Sequence, residues 1–392
     1  MNIVHSIPDA TLFIRTLCDV CLACAFVGCI LMLLEAGLVL GFPEEREGAR
    51  SAQPPVTILK PMDNAEPGLP ARLAALCQQE YDGPIQILCG ARDSSSSAVG
   101  DVRAVQRKHP DESIELHVDP RNHGSNRKVS NLINMLSRVR YDTIILSDSD
   151  IAVKPGYLRT ITPLLMRPRV GAVTCLYHGI PCDGLWSRLS ALAINLHFLP
   201  QAIAGINLRL THPCFGATIA LRRSTLERIG GFGAFADELA DDYAIGAAVR
   251  SAGYDVVIAP LAVGHCCFEN SLRQLVRHQM RVARTIKSID PIGYAGSIIT
   301  HPWPLALIGM LSGSSAAALL VVAALVSRVT LYRCVEWRFG LPRENYWLIP
   351  LQDIIAFAVY AASFFGATVH WRGTEYRVTA DGTIIEEDLR RP

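Results

Sequence analysis

Two carboxylates stand close together in the sequence Ser147-Asp148-Ser149-Asp150. The residues before them, 143–146, are β-branched or aliphatic and of strand length, which predicts a buried central strand. Open α/β sheets bind ligands at the carboxyl ends of their strands, so both side chains would face a ligand there. Such a pair suits a divalent cation that keeps phosphate oxygens and water as its other ligands. An ordinary acidic turn is the alternative, since aspartate is also a common turn residue.

A second group of carboxylates stands at the start of a predicted helix further along the chain. Residues 236–246 contain four acidic side chains, the last two of which are Asp241 and Asp242. Acidic residues at a helix start interact favourably with the helix dipole, which is sufficient to explain them. A carboxylate beside a cation site is also suited to act as a general base. The residues alone leave both interpretations open.

Basic residues stand in two places where an anion would bind. Lys128 lies in the first turn of a helix predicted to open at 126–132, where the helix dipole opposes a cation. This placement indicates an anionic ligand, although a solvated surface lysine explains it equally well. Residues 272–289 form a basic amphipathic segment whose arginines suit an anionic lipid surface or a diphosphate.

The elements that carry these residues alternate between strand and helix. The predicted strands are 56–59, 85–89, 114–118 and 143–146, and the predicted helices are 70–79, 98–109 and the segment that begins at 126. Such alternation implies a parallel, doubly wound sheet. Lys60 follows the first strand, and Asp93 follows the carboxyl end of the second.

The composition indicates a membrane protein with a globular domain. The chain has 392 residues, of which 50% are hydrophobic, and its mean hydropathy of +0.25 is high for a soluble protein. Apolar blocks at 17–40, 303–326 and 347–369 are long enough to cross a bilayer. The net charge of +1 gives no case for a nucleic-acid partner.

These features divide the chain into five predicted parts. They are an N-terminal membrane anchor (1–43), a globular domain (44–272), an amphipathic interfacial helix (273–297), a C-terminal transmembrane region (298–371) and a C-terminal tail (372–392).

The order of these parts resembles that of the ceramide glucosyltransferase-like family of membrane glycosyltransferases, and most of all its bacterial hopanoid-biosynthesis members. The resemblance covers about 56–289 and implies an α/β domain of the A-type glycosyltransferase fold, flanked by transmembrane helices. It implies that Asp93 holds the uridine nucleotide and that Asp148, with Asp150, binds Mg²⁺ or Mn²⁺ on the diphosphate. Asp242 matches the position of the family's catalytic base.

The family's last motif is matched only in part. It reads Gln or Arg, two variable residues, then Arg-Trp, whereas this chain has the sequence His278-Gln279-Met280-Arg281-Val282. The resemblance implies that Arg281, with His278, contacts the diphosphate. Val282 replaces the tryptophan, which leaves the packing of this segment and the choice of acceptor open.

The resemblance implies an inverting enzyme that moves glucose or N-acetylglucosamine from a UDP-sugar to a membrane lipid, either a hopanoid or a ceramide. We also assign Lys60 and Lys128 to the donor site. Two alternatives stay open. A processive polysaccharide synthase would need more membrane spans, and a non-catalytic membrane scaffold would not need the three carboxylate positions.

We expect a multi-pass protein of the cell inner membrane whose catalytic domain faces the cytoplasm, where sugar nucleotides are made. With three spans, the arginine-containing loop at 328–343 would face outward, against the tendency of basic loops to stay inside. A re-entrant pair of helices that begins near residue 298 is the alternative.

Overall fold

The computed structural model describes residues 7–43, 53–64, 66–366, 368–371, 374–379 and 383–386. The chain divides into two compact units. The apolar unit consists of Met1–Phe42, Leu192–Leu210 and Ser271–Gly366, and the sheet unit consists of Pro43–Ala191, Thr211–Asn270 and Ala367–Pro392.

The sheet unit contains a mixed sheet in which strands from distant parts of the chain are neighbours. Its strands are β1 (Val56–Pro61), β2 (Ile85–Ala91), β3 (Ile114–Val118), β4 (Thr143–Leu146), β5 (Ile151–Ala152), β6 (Val170–Pro181), β7 (Ile219–Arg222) and β8 (Asp255–Cys267). Their order across the sheet is β3-β2-β1-β4-β7-β6-β8-β5. The first four neighbours in this order are parallel, as predicted. Because β7 is antiparallel to both β4 and β6, the sheet as a whole is mixed, and the predicted parallel arrangement holds for β1 to β4.

Helices occur in both units. They are α1 (Ile7–Leu40), α2 (Leu69–Cys77), α3 (Ser97–Lys108), α4 (Arg127–Met135), α5 (Tyr157–Leu165), α6 (Gly184–Ala193), α7 (Leu199–Asn207), α8 (Arg223–Arg228), α9 (Asp241–Ser251), α10 (Leu272–Ile289), α11 (Pro291–Gly296), α12 (Pro302–Gly309), α13 (Ser315–Phe339) and α14 (Leu348–Ser363). A π-helical turn, Ile194–Phe198, joins α6 to α7. A small antiparallel sheet of the sheet unit follows α14 and contains β9 (Thr368–Trp371), β10 (Thr374–Val378) and β11 (Ile384–Glu386).

The main sheet is covered on both faces, because successive strand residues point to opposite sides. On β1, Ile58 packs into one buried cluster and Leu59 into the other. The cluster around Ile58 includes apolar residues of α2, α3 and α5. The cluster around Leu59 includes residues of α4, α8 and α9. Because apolar clusters cover both faces, the polar side chains lie at the edge formed by the carboxyl ends of the strands.

Within the described residues, three helical segments are long and apolar enough to cross a membrane, which indicates membrane association. They are Leu12–Leu40, Gly184–Asn207 and Ser315–Phe339. The first agrees with the predicted apolar block at 17–40. The second was predicted as an apolar helix at 184–199 but not as a span.

The predicted span at 303–326 is wrong in its bounds. Gly313 adopts a left-handed backbone with φ 72°, which ends the short helical segment that includes α12. A new helix, α13, begins at Ser315 and continues to Phe339, beyond the predicted block. The predicted arginine loop at 328–343 is therefore wrong in its first part, since Arg328 lies inside this helix.

Arg328 pairs with a carboxylate inside the apolar unit. Its guanidinium is 1% exposed and donates from Nε to Asp353 Oδ2 at 3.1 Å. The same guanidinium donates to the carbonyl oxygens of Leu196, at 3.2 Å, and Thr300, at 2.7 Å. The other carboxylate oxygen, Asp353 Oδ1, is 3.1 Å from His197 Nε2. One buried arginine thus connects α13 with α14, the π-helical turn and the segment before α12.

We predict that Arg328→Met destabilises the protein by about 3–5 kcal/mol, because it leaves the Asp353 carboxylate buried and unpaired. The measurement is the thermal unfolding midpoint of the full chain in detergent. Arg343→Met, at an exposed position, is the control and is expected to change little. Adding Asp353→Leu to Arg328→Met should restore part of the loss. Equal midpoints for Arg328→Met and the control would refute the structural importance of this ion pair.

Candidate active site

Lys60 supports the turn that carries Asp148 and Asp150 through hydrogen bonds. The Lys60 side chain is fully buried, and burial lowers its pKa to about 8. Its ammonium donates to Ser147 Oγ at 2.9 Å, to the Asp148 carbonyl at 2.7 Å and to the Ile151 carbonyl at 3.3 Å. A lysine ammonium has three donors, and all are used here. Lys60 is thus a support for the acidic turn, and its contact with a donor molecule stays a prediction.

A second support for this turn was not predicted from the sequence. Arg72, on α2, is 5% exposed and donates from Nε to the Ser149 carbonyl at 2.8 Å. It also pairs with Glu66 at 3.2 Å, and Glu66 accepts a hydrogen bond from Ser149 Oγ at 2.8 Å. The only sequence signal was an arginine among the apolar residues of α2, a pattern that also fits a surface residue.

Lys128 joins the acidic turn to the start of α9. Its Nζ lies 2.9 Å from Asp148 Oδ1 and 3.2 Å from Asp241 Oδ2. Although burial opposes the charge, these two carboxylates raise the pKa of Lys128. Asn126 completes the link, because its Oδ1 caps α4 at Val129 N while its Nδ2 donates to Asp241 Oδ1 at 3.3 Å. Lys128 lies where an anion was predicted, and the anions that the structure places there are the protein's own carboxylates.

Asp242 is held by backbone amides. Its Oδ2 accepts a hydrogen bond from Gly216 N at 2.7 Å, and its Oδ1 accepts one from Tyr243 N at 2.8 Å. Burial and the neighbouring Asp241 raise the pKa of Asp242 to about 6. This carboxyl group is therefore ionised at neutral pH but is a stronger base than an exposed aspartate.

Gly216 lies close to both the acidic turn with Asp148 and the start of α9 with Asp242. A methyl group added to its Cα would lie 3.2 Å from Asp242 Oδ2, 3.4 Å from Lys128 Nζ and 3.5 Å from Asp148 Oδ2. The sequence analysis did not select Gly216, because a glycine shortly before a strand is common. The three side chains come from separate segments, and only the sheet order brings them together.

Asp150 faces a histidine that was also not predicted. Its Oδ2 lies 3.3 Å from His265 Nε2, near the carboxyl end of β8. Its Oδ1 is buried and has no hydrogen-bond partner among the residues that the structure describes. Against the effect of burial, the charges of His265 and Lys60 lower the pKa of Asp150. Asp150 is therefore stabilised as a carboxylate, with one oxygen not satisfied by the protein.

The fit of a metal ion depends on Asp148 and Asp150. In the described part of the chain, no three His, Cys, Asp or Glu side chains are grouped so as to hold a metal by themselves. Two carboxylates with an unsatisfied oxygen still fit a hard divalent cation that takes its remaining ligands from a diphosphate and water. The residues are thus consistent with a cation bound together with a nucleotide substrate.

The remaining predicted site residues lie in two places. Asp93 is exposed after β2, where it accepts hydrogen bonds from Ser95 N at 2.8 Å and Ser95 Oγ at 2.7 Å, which lower its pKa. It therefore lies at the same edge of the sheet as the acidic turn. His278 and Arg281 lie on α10 in the apolar unit, three residues apart and so on one face of that helix.

Part of the basic surface predicted for residues 272–289 is used inside the protein. Arg284 donates to the Phe365 carbonyl at 2.7 Å, and Lys287 donates to the Ser363 carbonyl at 2.6 Å. These contacts satisfy carbonyl groups at the end of α14. Arg273 and Arg277 of the same helix are exposed.

Comparison with known proteins gives one family and a few relatives. The chain matches glycosyl transferase family 21 over residues 20–384. Ceramide glucosyltransferase 1 of Caenorhabditis elegans is 24% identical over 236 residues, which is 60% of this chain and 49% of that protein. This chain therefore spans about half the length of that relative. Ceramide glucosyltransferase 3 of the same organism is 20% identical over 352 residues, covering 86% of this chain and 75% of the relative.

Among solved structures, the mannosyltransferase PcManGT from Pyrobaculum calidifontis, in complex with GDP-Man and Mn²⁺, has a similar fold. The TM-score is 0.51 at 19% identity, and the match covers 90% of this chain and 99% of that one. At this identity the similarity concerns the fold alone. The predicted A-type glycosyltransferase fold is confirmed.

Proposed function

Because the chain belongs to glycosyl transferase family 21, we propose that it is an inverting glycosyltransferase that moves a hexose from a UDP-sugar to a membrane lipid. The predicted resemblance to the ceramide glucosyltransferase-like family is confirmed at the level of the family. The observation that carries the proposal is the meeting of Asp148 and Asp242 at Gly216. It supports a site in which the leaving diphosphate and the acceptor hydroxyl are handled by two different carboxylates.

Asp242 is the proposed base. Its two backbone hydrogen bonds fix the carboxylate, and its raised pKa of about 6 suits proton abstraction near neutral pH. It would accept the proton of the acceptor hydroxyl as that oxygen attacks the anomeric carbon, on the face opposite the departing UDP. The C–O bond to the diphosphate breaks as the new glycosidic bond forms, so the configuration inverts.

Asp148 and Asp150 are proposed to hold a divalent cation, Mg²⁺ or Mn²⁺. Such an ion, when bound, would neutralise charge that develops on the diphosphate.

The basic residues around these carboxylates have separate proposed roles. Lys60 would hold the acidic turn in place. Lys128 would balance the negative charge between Asp148 and Asp241, which limits the repulsion that an anionic donor meets. On the resemblance, Asp93 would hold the nucleoside, and His278 and Arg281 the diphosphate.

The substrates are proposed from the relatives and from the apolar segments. Two similar proteins are named ceramide glucosyltransferases, which supports UDP-glucose as donor and a ceramide as acceptor. UDP-N-acetylglucosamine and a hopanoid are the other proposed pair. The three candidate spans support an acceptor that stays in the bilayer. We propose the inner membrane as its location, with the sheet unit in the cytoplasm, where UDP-sugars occur.

The direct test offers membranes that contain the protein each labelled UDP-sugar together with ceramide or an extracted hopanoid, and identifies the product by mass. We predict a lipid hexoside with wild-type protein and a loss of about 10² or more in turnover with Asp242→Asn, the usual contribution of a general base. Asp111→Asn, at an exposed position, is the matched control. Absence of a glycolipid product with either donor, or full activity of Asp242→Asn, would contradict the proposal.

A further prediction concerns pH. Because the base must be ionised, kcat/KM should fall as the pH drops through about 6, the pKa of Asp242. Asp241→Asn removes a negative neighbour that raises this pKa, so the acidic limb should move to lower pH. Asp111→Asn should leave the limb in place. A limb that is unchanged, or higher, in Asp241→Asn would show that another group controls the profile.

A further inference from the structure

We propose that residues 333–347, together with Phe42, form a surface that binds the phospholipid headgroup layer on the membrane face where α1 ends. We call this face the exit face, because the chain continues from it through Pro43 to β1. A count of three spans predicts that the arginine-containing loop lies on the opposite face. The contacts between helix ends in the apolar unit favour the exit face instead.

The carboxyl ends of α1 and α13 lie side by side. Arg338, in the last turn of α13, donates from Nε to the Phe42 carbonyl at 2.8 Å. Its guanidinium lies 5.8 Å from the centre of the Phe42 ring and 5.7 Å from the centre of the Phe339 ring. The two ring centres are 5.7 Å apart. A hydrogen bond, two cation–π contacts and a ring contact therefore hold these two helix ends together.

The opposite end of α13 follows a segment that lies beside the first half of α1. The Cys18 thiol donates to the carbonyl of Ile308, in α12, at 3.7 Å. The left-handed turn at Gly313 comes shortly afterwards, and α13 begins at Ser315. Since its other end lies beside Phe42, α13 runs parallel to α1.

The length of α13 places its two ends at different faces of a membrane. The helix has 25 residues, which gives about 37 Å at about 1.5 Å per residue, whereas the hydrocarbon core is about 30 Å thick. The stretch of α1 beside it, from Cys18 to Phe42, contains the same number of residues. Because the chain leaves the membrane at Phe42, the Phe339 end of α13 lies at the exit face and Ser315 at the other face.

The loop after α13 is folded back onto this helix end. Glu336 is buried, and its carboxylate accepts hydrogen bonds from Arg333 Nη1 at 2.8 Å and from the Tyr346 hydroxyl at 2.7 Å. The backbone N of Glu344 donates to the same carboxylate at 3.1 Å. Residues 340–347 therefore belong to the same surface as the two helix ends.

Two exposed tryptophans indicate what this surface contacts. Trp337 lies in the last turn of α13 and is 74% exposed, and Trp347 lies directly before α14 and is 88% exposed. A large aromatic ring is unfavourable in water, but tryptophan is enriched where a membrane meets water, because its ring is apolar and its N–H is polar. Both rings thus fit the headgroup layer of a bilayer.

The charges of the surface suit lipid phosphates. Of the two acidic residues in 333–347, Glu336 pairs with Arg333, which leaves Glu344 against Arg338 and Arg343. A guanidinium has five N–H donors and binds phosphate well, and the bond of Arg338 to Phe42 uses only one of them. If the exit face is cytoplasmic, as the proposed function requires, these arginines also agree with the positive-inside tendency.

The first test labels single added cysteines with a membrane-impermeant maleimide in intact spheroplasts. Peptide mass spectrometry identifies the labelled site, so the native cysteines can stay. The variants are Pro342→Cys in the loop, Ser315→Cys at the start of α13 and Lys108→Cys in the sheet unit, all at exposed positions. We expect Ser315→Cys to be labelled and the other two to be protected. Labelling of all three after permeabilisation is the control for accessibility.

The outcomes separate this inference from the proposed function. Equal results for Pro342→Cys and Ser315→Cys in intact spheroplasts would overturn the inference, as would different results for Pro342→Cys and Lys108→Cys. If Pro342→Cys and Lys108→Cys are both labelled while Ser315→Cys is protected, the exit face carries the loop as inferred. That result would instead contradict the cytoplasmic location on which the proposed function depends.

The second test measures the depth of the tryptophans, with the full chain in liposomes. Their fluorescence is quenched by phospholipids that carry bromine near either the glycerol end or the methyl end of an acyl chain. We expect Trp337→Phe and Trp347→Phe each to remove quenching mainly by the lipid brominated near the glycerol end. Loss of quenching mainly by the other lipid, or no loss with either, would overturn the contact with the headgroup layer.

Discussion

The ion pairs of Lys128 are the interaction on which the rest of the site depends. Its ammonium lies between Asp148, after β4, and Asp241, at the start of α9. Carboxylates this close would otherwise repel each other strongly at a partly buried site. A single cation between them allows both segments to approach Gly216. Lys60 acts in the same region, mainly on the backbone, so two buried lysines hold the acidic site that we propose receives the donor diphosphate.

Neighbouring carboxylates of this site differ in their surroundings, and this difference supports the separate roles that we propose. Asp148 and Asp150 face basic side chains, Lys128 and His265 respectively. Asp242 faces backbone amides and another carboxylate, which leaves it with a pKa of about 6. Pairs of titratable groups whose environments differ in this way are a common means of dividing acid–base tasks within one site.

Local patterns in the sequence were sufficient to predict the strand before Asp148, the alternation of strands and helices, and the position of Asp242 at a helix start. Contacts that depend on residues distant in the sequence were missed. His265 meets Asp150 only through the antiparallel ladder of β5 and β8. The hydrogen bonds of Lys60 to the acidic turn were also missed, because its sequence position does not reveal which groups its ammonium contacts.

The apolar unit also contains contacts that local sequence patterns could not predict. Arg328 was placed in a loop, because an arginine inside an apolar helix is unfavourable unless a partner compensates its charge. That partner, Asp353, belongs to a different helix and has no local signature in the sequence. Gly313 divides the apolar block at 303–326 between two helices. The block was predicted as one span because hydropathy gives no information on a left-handed turn.

The most direct test of the account is a cryo-electron microscopy structure of the full chain in nanodiscs with UDP and Mn²⁺. The quantity to measure is the position of Lys128 Nζ. The account predicts that it stays within hydrogen-bonding distance of both Asp148 and Asp241 while the diphosphate is bound. A structure in which Lys128 leaves Asp241 and binds the diphosphate directly would contradict it.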